Sequence, residues 1–164
     1  TSLGANVALE VAVSAPARVR GLLLEMPVLD NALEASIVAA SPLLLASRLL
    51  PVSVDGARLL SGVVPRSLLP FWAGVALDVL DQRPGATAAL LHGLLFGRIA
   101  PMSRERRRIA APALVVGHTR DPIHPAADAA MLAAEIPDAE FISARSVLEW
   151  RLRPERLTGA AIGF

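Results

Sequence analysis

Cysteine and lysine are missing from this sequence, aromatic residues are scarce, and the net charge is almost nil. Without cysteine there are no disulfides and no thiolate metal sites, though the compartment stays open. All 16 basic residues are arginine and they face 15 acidic ones, for a formal charge of +1. That balance gives no electrostatic case for nucleic acid or for an acidic partner. Aromatics make up only 4% of a chain that is 54% hydrophobic, with a mean hydropathy of +0.52. So apolar a surface is expected to need partner surface that this sequence does not contain.

Long clean hydrophobic runs are also lacking. The most membrane-like stretch, "ALEASIVAASPLLLASRLLPV" from Ala32 to Val52, is broken by Glu34, Pro42 and Arg48. A spanning helix needs roughly 18 or more uninterrupted apolar residues, so a buried or lid-like helix is expected and no integral span. No His-x-x-x-His pair and no carboxylate cluster occurs, so neither a metal nor another cofactor is expected. No stretch reads as a secretory signal, and the cytoplasm is the expected compartment.

What is present falls into three zones, read as 1–29, 30–108 and 109–164. In the first, Leu3 to about Ser14 has helical length and ends at "SAPAR", with Pro16 as breaker. "VRGLLLEMPV", Val19 to Val28, is a short continuous apolar run that predicts a strand covered on both faces. The second zone is helical and punctuated by Pro42, Pro51, Pro65, Pro70, Pro84 and Pro101. It ends in "SRERRRIAAP", where Arg106, Arg107 and Arg108 read as a solvated basic connector. The third zone alternates. "APALVVGH" (Ala111 to His118) is a buried strand, "TRDPIHP" a turn, "AADAAMLAAEI" a helix and "AEFISA" a strand. "RPERLTGAAIGF" is a closing helix with Pro154 suited to its first turn. Strand, helix, strand, helix predicts an α/β fold with parallel strands and right-handed crossovers.

The chemistry begins at Ser2. Thr1, Ser2, Leu3 and Gly4, ahead of an apolar helix, fit Gly-x-Ser-x-Gly from its second position onward. In that pattern a sharp strand-to-helix turn presents the serine hydroxyl above a sheet. Small residues suit it because the turn is strained and passes close to its neighbours. The backbone amide of Leu3, at the helix start, could help hold an oxyanion. The competing reading is an ordinary serine N-cap.

The order of these parts resembles the C-terminal portion of an α/β-hydrolase fold enzyme, a serine hydrolase with a helical cap, across essentially all 164 residues. The more specific half is "PALVVGHTRDPIHP", a sheet strand followed at once by an acid-bearing turn. The resemblance implies a triad in the order nucleophile, acid, histidine, with Ser2 as nucleophile and Asp121 as acid. It also implies a sheet half ahead of the elbow, carrying a second oxyanion donor. The chain is therefore expected to be a fragment, inactive in isolation, whose partner is the missing N-terminal half of the same fold. For Asp121 alone, an Asp-Pro turn residue is the simpler reading.

One departure stands out. The family's catalytic histidine sits in the loop after the last strand, and here that loop, "SARSVLEWRLRPERL" from Ser143 to Leu157, has none. Neither Arg145 nor Ser146 can take a proton from serine and return it near neutral pH, and Glu149 reads as a solvent-facing charge. His124, in "DPIHP", is the candidate to stand in as base, or else packs beside Pro125. His118 ends a strand and is expected to face solvent or the turn. His92, in the cap segment "ALLHGLLF", is a pocket candidate with Phe71, Trp72 and Phe96.

Two functions remain open at this point. One is a serine hydrolase acting on a small apolar ester or other acyl substrate. The other is a degenerate hydrolase fold that serves as a binding or partner module. A serine at the elbow argues against the epoxide and haloalkane branches, which use a carboxylate there.

Overall fold

The apolar run that ends at His118 forms the central strand of the sheet. The computed structural model of the chain describes residues 1–32 and 97–164, with isolated positions between them. The central strand, β2 (Ala113–His118), is buried at every position. Its neighbours are β1 (Leu22–Glu25) and β3 (Ala139–Ala144), in the order β1-β2-β3. Both pairings are parallel, with Glu25 opposite Val116 and His118 opposite Ala144. The carboxyl ends of all three strands therefore share one end of the sheet, the end where open α/β sheets gather their ligands.

The parallel α/β reading of the sequence holds, with shorter strands. Of the expected Val19–Val28 only Leu22–Glu25 pairs, because Met26 turns to a φ of 51° and Pro27 has no amide to offer a ladder. Nor is β1 covered on both faces, since Leu23 is 47% exposed.

Side-chain alternation along β2 sorts the core into two faces. Ala113 and Val115 join Leu22 and Leu24 under α1 (Leu3–Ser14), with Ala5, Leu9 and Leu132 in the same cluster. Val116 points the other way, to Ala144, Leu157 and Trp150. Helix α1 buries Ala5, Asn6, Leu9 and Ala12 on one face and exposes Val7 and Val11 on the other. Its buried Asn6 is fully occupied. The side-chain amide donates to the carbonyls of Val28 (2.7 Å) and Ile99 (3.0 Å) and its oxygen accepts from the Val28 amide.

The short α2 (Ser103–Arg106) lies against α1 and against α3 (Ala126–Glu135). It corrects the reading of that segment as a solvated connector. Arg106 is buried, pairs with Glu135 and donates to the Pro101 carbonyl at 2.9 Å, while Arg107 and Arg108 are exposed. Two further helices close the chain, α4 (Glu149–Leu152) and α5 (Glu155–Gly163), the latter with Pro154 at its N-cap.

Helix α3 sits close on β2 because Gly117 has no side chain. A Cβ there would lie 2.9 Å from the Ala129 Cβ and 3.0 Å from the Phe141 ring. Gly117→Ala is expected to cost about 1–3 kcal/mol, the usual penalty for overpacking, read as a lowered midpoint in denaturant unfolding.

By compactness the chain divides into Thr1–Ser36 with Arg98–Phe164, and Ile37–Gly97. In the second unit, positions 38, 56, 59, 62–63, 73, 77–78 and 92–93 are helical. Apart from Pro65, Leu69 and Gly97, which are described and not helical, the rest of it lies outside the described residues, as do Phe71, Trp72 and Phe96 and most of the Ala32–Val52 stretch. Among the described residues no helix is long and apolar enough to cross a membrane.

Candidate active site

Ser2 stands at the start of α1 in a conformation few non-glycine residues adopt, with φ 53° and ψ −130°. Among the described residues two other non-glycine positions have positive φ, Met26 just past β1 and Arg120 just past β2. All three lie at the carboxyl end of the sheet, Ser2 through its amide bond to the Glu25 carbonyl. Such strain costs about 1–3 kcal/mol per residue and persists only where the surroundings over-determine it.

The Ser2 hydroxyl does not cap the helix. It donates instead to Nε2 of His124 at 2.9 Å, across 122 residues of chain. The carbonyls of Thr1 and Ser2 take the amides of Gly4, Ala5 and Asn6. The Leu3 amide is the first of the helix, among the donors that lack an intrahelical partner. Crowding at Gly4 is not found: a Cβ there would meet no described atom within 4 Å.

The turn "TRDPIHP" performs two tasks with one carboxyl group. Oδ1 of Asp121 accepts the amides of Ile123 (2.8 Å) and His124 (2.9 Å), an Asx-type turn that folds the loop on itself. Oδ2 lies 3.1 Å from Nδ1 of His124. A carboxylate only accepts, so Nδ1 carries the proton and the Nε2 lone pair faces Ser2, a tautomer assigned from the hydrogen-bond network. The Asp121 side chain is 6% exposed and that of His124 is 16% exposed. Acid and imidazole thus come from one turn, three residues apart, with Arg120 supplying the left-handed step before it.

His118 corrects its expected exposure, for it is fully buried. Its Nε2 lies 2.8 Å from Oε1 of Glu25 and its Nδ1 lies 2.8 Å from the Ser146 carbonyl. Both ring nitrogens are engaged away from Ser2, which rules it out as the proton acceptor for that hydroxyl. Burial disfavours its charge, but the bonds to Glu25 and Ser146 outweigh burial and raise its pKa above the ordinary 6.5. Burial likewise opposes ionisation of Glu25, and the bonds from His118 and Thr1 outweigh it and lower that pKa below 4.5. Glu25 is absent from the sequence expectations. Its signal is a lone carboxylate inside the otherwise apolar "GLLLEMP".

The late loop also differs from expectation at Glu149. Its side chain is 8% exposed rather than solvent-facing, accepting from the Arg156 guanidinium at 2.8 Å and from the Arg145 amide. Those two bonds, Arg156 first, bring its pKa down to about 2. A cavity of about 470 Å³ is lined by Arg145, Leu148, Leu152 and Arg156 among others, and by none of Ser2, Asp121 or His124. His92, the one pocket candidate among the described residues, is helical and exposed. No group of three or more His, Asp or Glu side chains among the described residues could hold a metal ion.

No protein-family profile matches the sequence, and no curated protein matches it. Solved structures do. One is BpoC of Mycobacterium tuberculosis H37Rv, assigned as a non-heme bromoperoxidase, at 26% identity and TM-score 0.59. The match covers 100% of this chain and 64% of that one. Est816, an N-acyl homoserine lactone degrading enzyme, is 21% identical with a TM-score of 0.57, over 99% of this chain and 64% of its own. The meta-cleavage product hydrolase CumD of Pseudomonas fluorescens IP01 is 13% identical with a TM-score of 0.62, over 99% and 61%. The chain thus spans somewhat under two thirds of the length of these enzymes. With its parallel sheet and flanking helices, it has the α/β-hydrolase fold.

Proposed function

We propose that this chain carries the nucleophile, base and acid of a serine hydrolase, in the roles Ser2, His124 and Asp121. The observation that supports it best is the continuous relay from Ser2 Oγ through the His124 ring to Asp121, at 2.9 Å and 3.1 Å. In this reading Ser2 Oγ attacks an acyl carbon as its proton passes to Nε2 of His124, and Asp121 holds the resulting imidazolium. The carbonyl oxygen becomes an oxyanion, with the Leu3 amide as one donor. The imidazolium then protonates the leaving alcohol as the ester bond breaks. Water attacks the acyl-serine, giving its proton to the same nitrogen, and Ser2 leaves with that proton restored.

An ester-like substrate with an apolar acyl or alkyl group is the class we favour. A lactone is a cyclic ester, and a lactone-degrading enzyme stands among the similar structures. The apolar composition of the 30–108 segment, with Phe71, Trp72, His92 and Phe96 as lining candidates, suits such a group. We test the reading with p-nitrophenyl esters of increasing acyl length and the intact gene product. Turnover lowered by about 10⁶-fold in Ser2→Ala is expected. Equal turnover by wild type and Ser2→Ala would refute it. The missing histidine of the late loop supports a second reading, a binding module on a hydrolase scaffold, and a folded protein with no turnover on any ester would favour that.

A further inference from the structure

We propose that the buried Glu25–His118 pair is a charged positioning device for Ser2, an inference that rests on Ser2 being the nucleophile. The Ser146 carbonyl only accepts, so Nδ1 of His118 must carry a proton. A carboxylate also only accepts, so the proton between Nε2 and Oε1 of Glu25 must be present too. The pair therefore holds one proton more than a neutral imidazole beside an ionised glutamate.

Glu25 spends its other contacts on the elbow. Its Oε2 accepts the Thr1 hydroxyl at 2.6 Å, and its backbone carbonyl accepts the Ser2 amide at 2.9 Å. One residue thus grips both members of the strained turn, by side chain and by main chain. His118 in turn fixes the carboxylate from the end of β2 and ties it to the loop after β3 through Ser146. His118 makes no contact with the Ser2 hydroxyl, so it acts through Glu25 and Thr1. A buried ion pair seldom adds stability over an apolar replacement and is better suited to fixing geometry. Here the geometry it fixes is a serine φ of 53°, a costly conformation for a non-glycine residue.

The proton count makes the device sensitive to pH. The groups facing the pair are Glu25 and His118 themselves, Asp121 on the turn after β2, and Arg151 on α4. His118 titrates above its ordinary 6.5 in the folded protein. Its contribution is therefore whole below that ordinary value and is lost as pH rises through the raised one. Glu25 titrates below 4.5, so its contribution is whole above that value and is lost as pH falls through the lowered one. The elbow is held between those limits.

The test is the rate at which a fluorophosphonate labels Ser2 in the intact gene product, followed across pH. Wild type is expected to lose rate on the alkaline side as His118 gives up its proton. His118→Gln supplies a neutral donor with no proton to lose, so its alkaline fall should vanish while its best rate drops about tenfold, the size of one charge-assisted hydrogen bond. Thr1→Val removes only the outer contact and should slow labelling at every pH with the alkaline limb unmoved. Should His118→Gln fail to fold, the wild-type limb and the Thr1→Val rate still decide. Labelling by wild type with no alkaline fall, together with an unchanged rate in Thr1→Val, overturns the proposal and leaves the hydrolase reading standing. A wild type that is not labelled at any pH overturns the hydrolase reading itself.

Discussion

Replacing His124 with alanine is expected to lower ester turnover by about 10²–10⁴-fold, the range that a positioned general base supplies. The loss should fall on kcat, since the imidazole acts in the transition state and contributes little to holding the ground-state ester. Stability should change far less than turnover, because the turn keeps its own backbone bonds to Asp121 when the ring is removed. Its two partners react differently to the loss. Asp121 keeps both backbone amides on Oδ1, so the turn survives. Ser2 keeps its amide bond to Glu25 but no longer has an acceptor at 2.9 Å. Steady-state kinetics beside a denaturant melt separate this outcome from simple unfolding. Unaltered kcat in a folded His124→Ala protein would remove His124 from the mechanism.

The second large effect is on stability, at Asp128. This residue lies in the first turn of α3 and is fully buried. Its two carboxyl oxygens accept the amides of Leu29 (3.3 Å), Asn31 (3.2 Å) and Ala32 (2.8 Å) and the Asn31 side chain (2.7 Å). The acceptor therefore comes from a helix nearly a hundred residues later and satisfies donors where residues 30–32 begin a helix. Asp128→Ala leaves the Leu29 and Ala32 amides buried and unpaired, at about 1–3 kcal/mol each, so a total loss of about 2–6 kcal/mol is expected. Asn31→Ala, which removes a single side-chain donor, should cost no more than about 1 kcal/mol. Denaturant midpoints of the two variants check the contrast, and similar midpoints would contradict it. The same loss should reach the site, because α3 follows directly on the turn that holds His124 and Asp121.

Much of the fold is legible in the sequence because its signals are local. Continuous apolar runs bounded by Gly and Pro locate β1 and β2, and the small apolar residues after Ser2 locate α1. The alternation after Ala111 predicts parallel strands. β1 is cut short by something less visible, the left-handed turn at Met26. What escapes a linear reading is polar burial, which depends on partners far away in the chain. His118 looks like a strand-end residue until Glu25, 93 residues earlier, is brought beside it. Arg106 looks like one of three surface arginines until Glu135 closes on it. Glu149 looks solvated until α5 delivers Arg156.

The candidate site divides the same way. Ser2 and Asp121 are legible as motif positions, and His124 as the remaining histidine near the sheet's carboxyl end. That the His124 ring turns toward Ser2 depends on the Arg120 backbone and on both oxygens of Asp121, which no spacing rule encodes. Similarly, "LLLEMP" hides a carboxylate whose place beneath the elbow emerges only from β1 pairing with β2.

The central claim is an activated serine at position 2, and the most direct measurement is the site of covalent attachment. The intact gene product is treated with a fluorophosphonate, digested, and read by mass spectrometry. An adduct on Ser2 that is lost in His124→Ala is the result this account predicts. A folded protein with no adduct on Ser2, or an adduct that forms equally fast without His124, would contradict it.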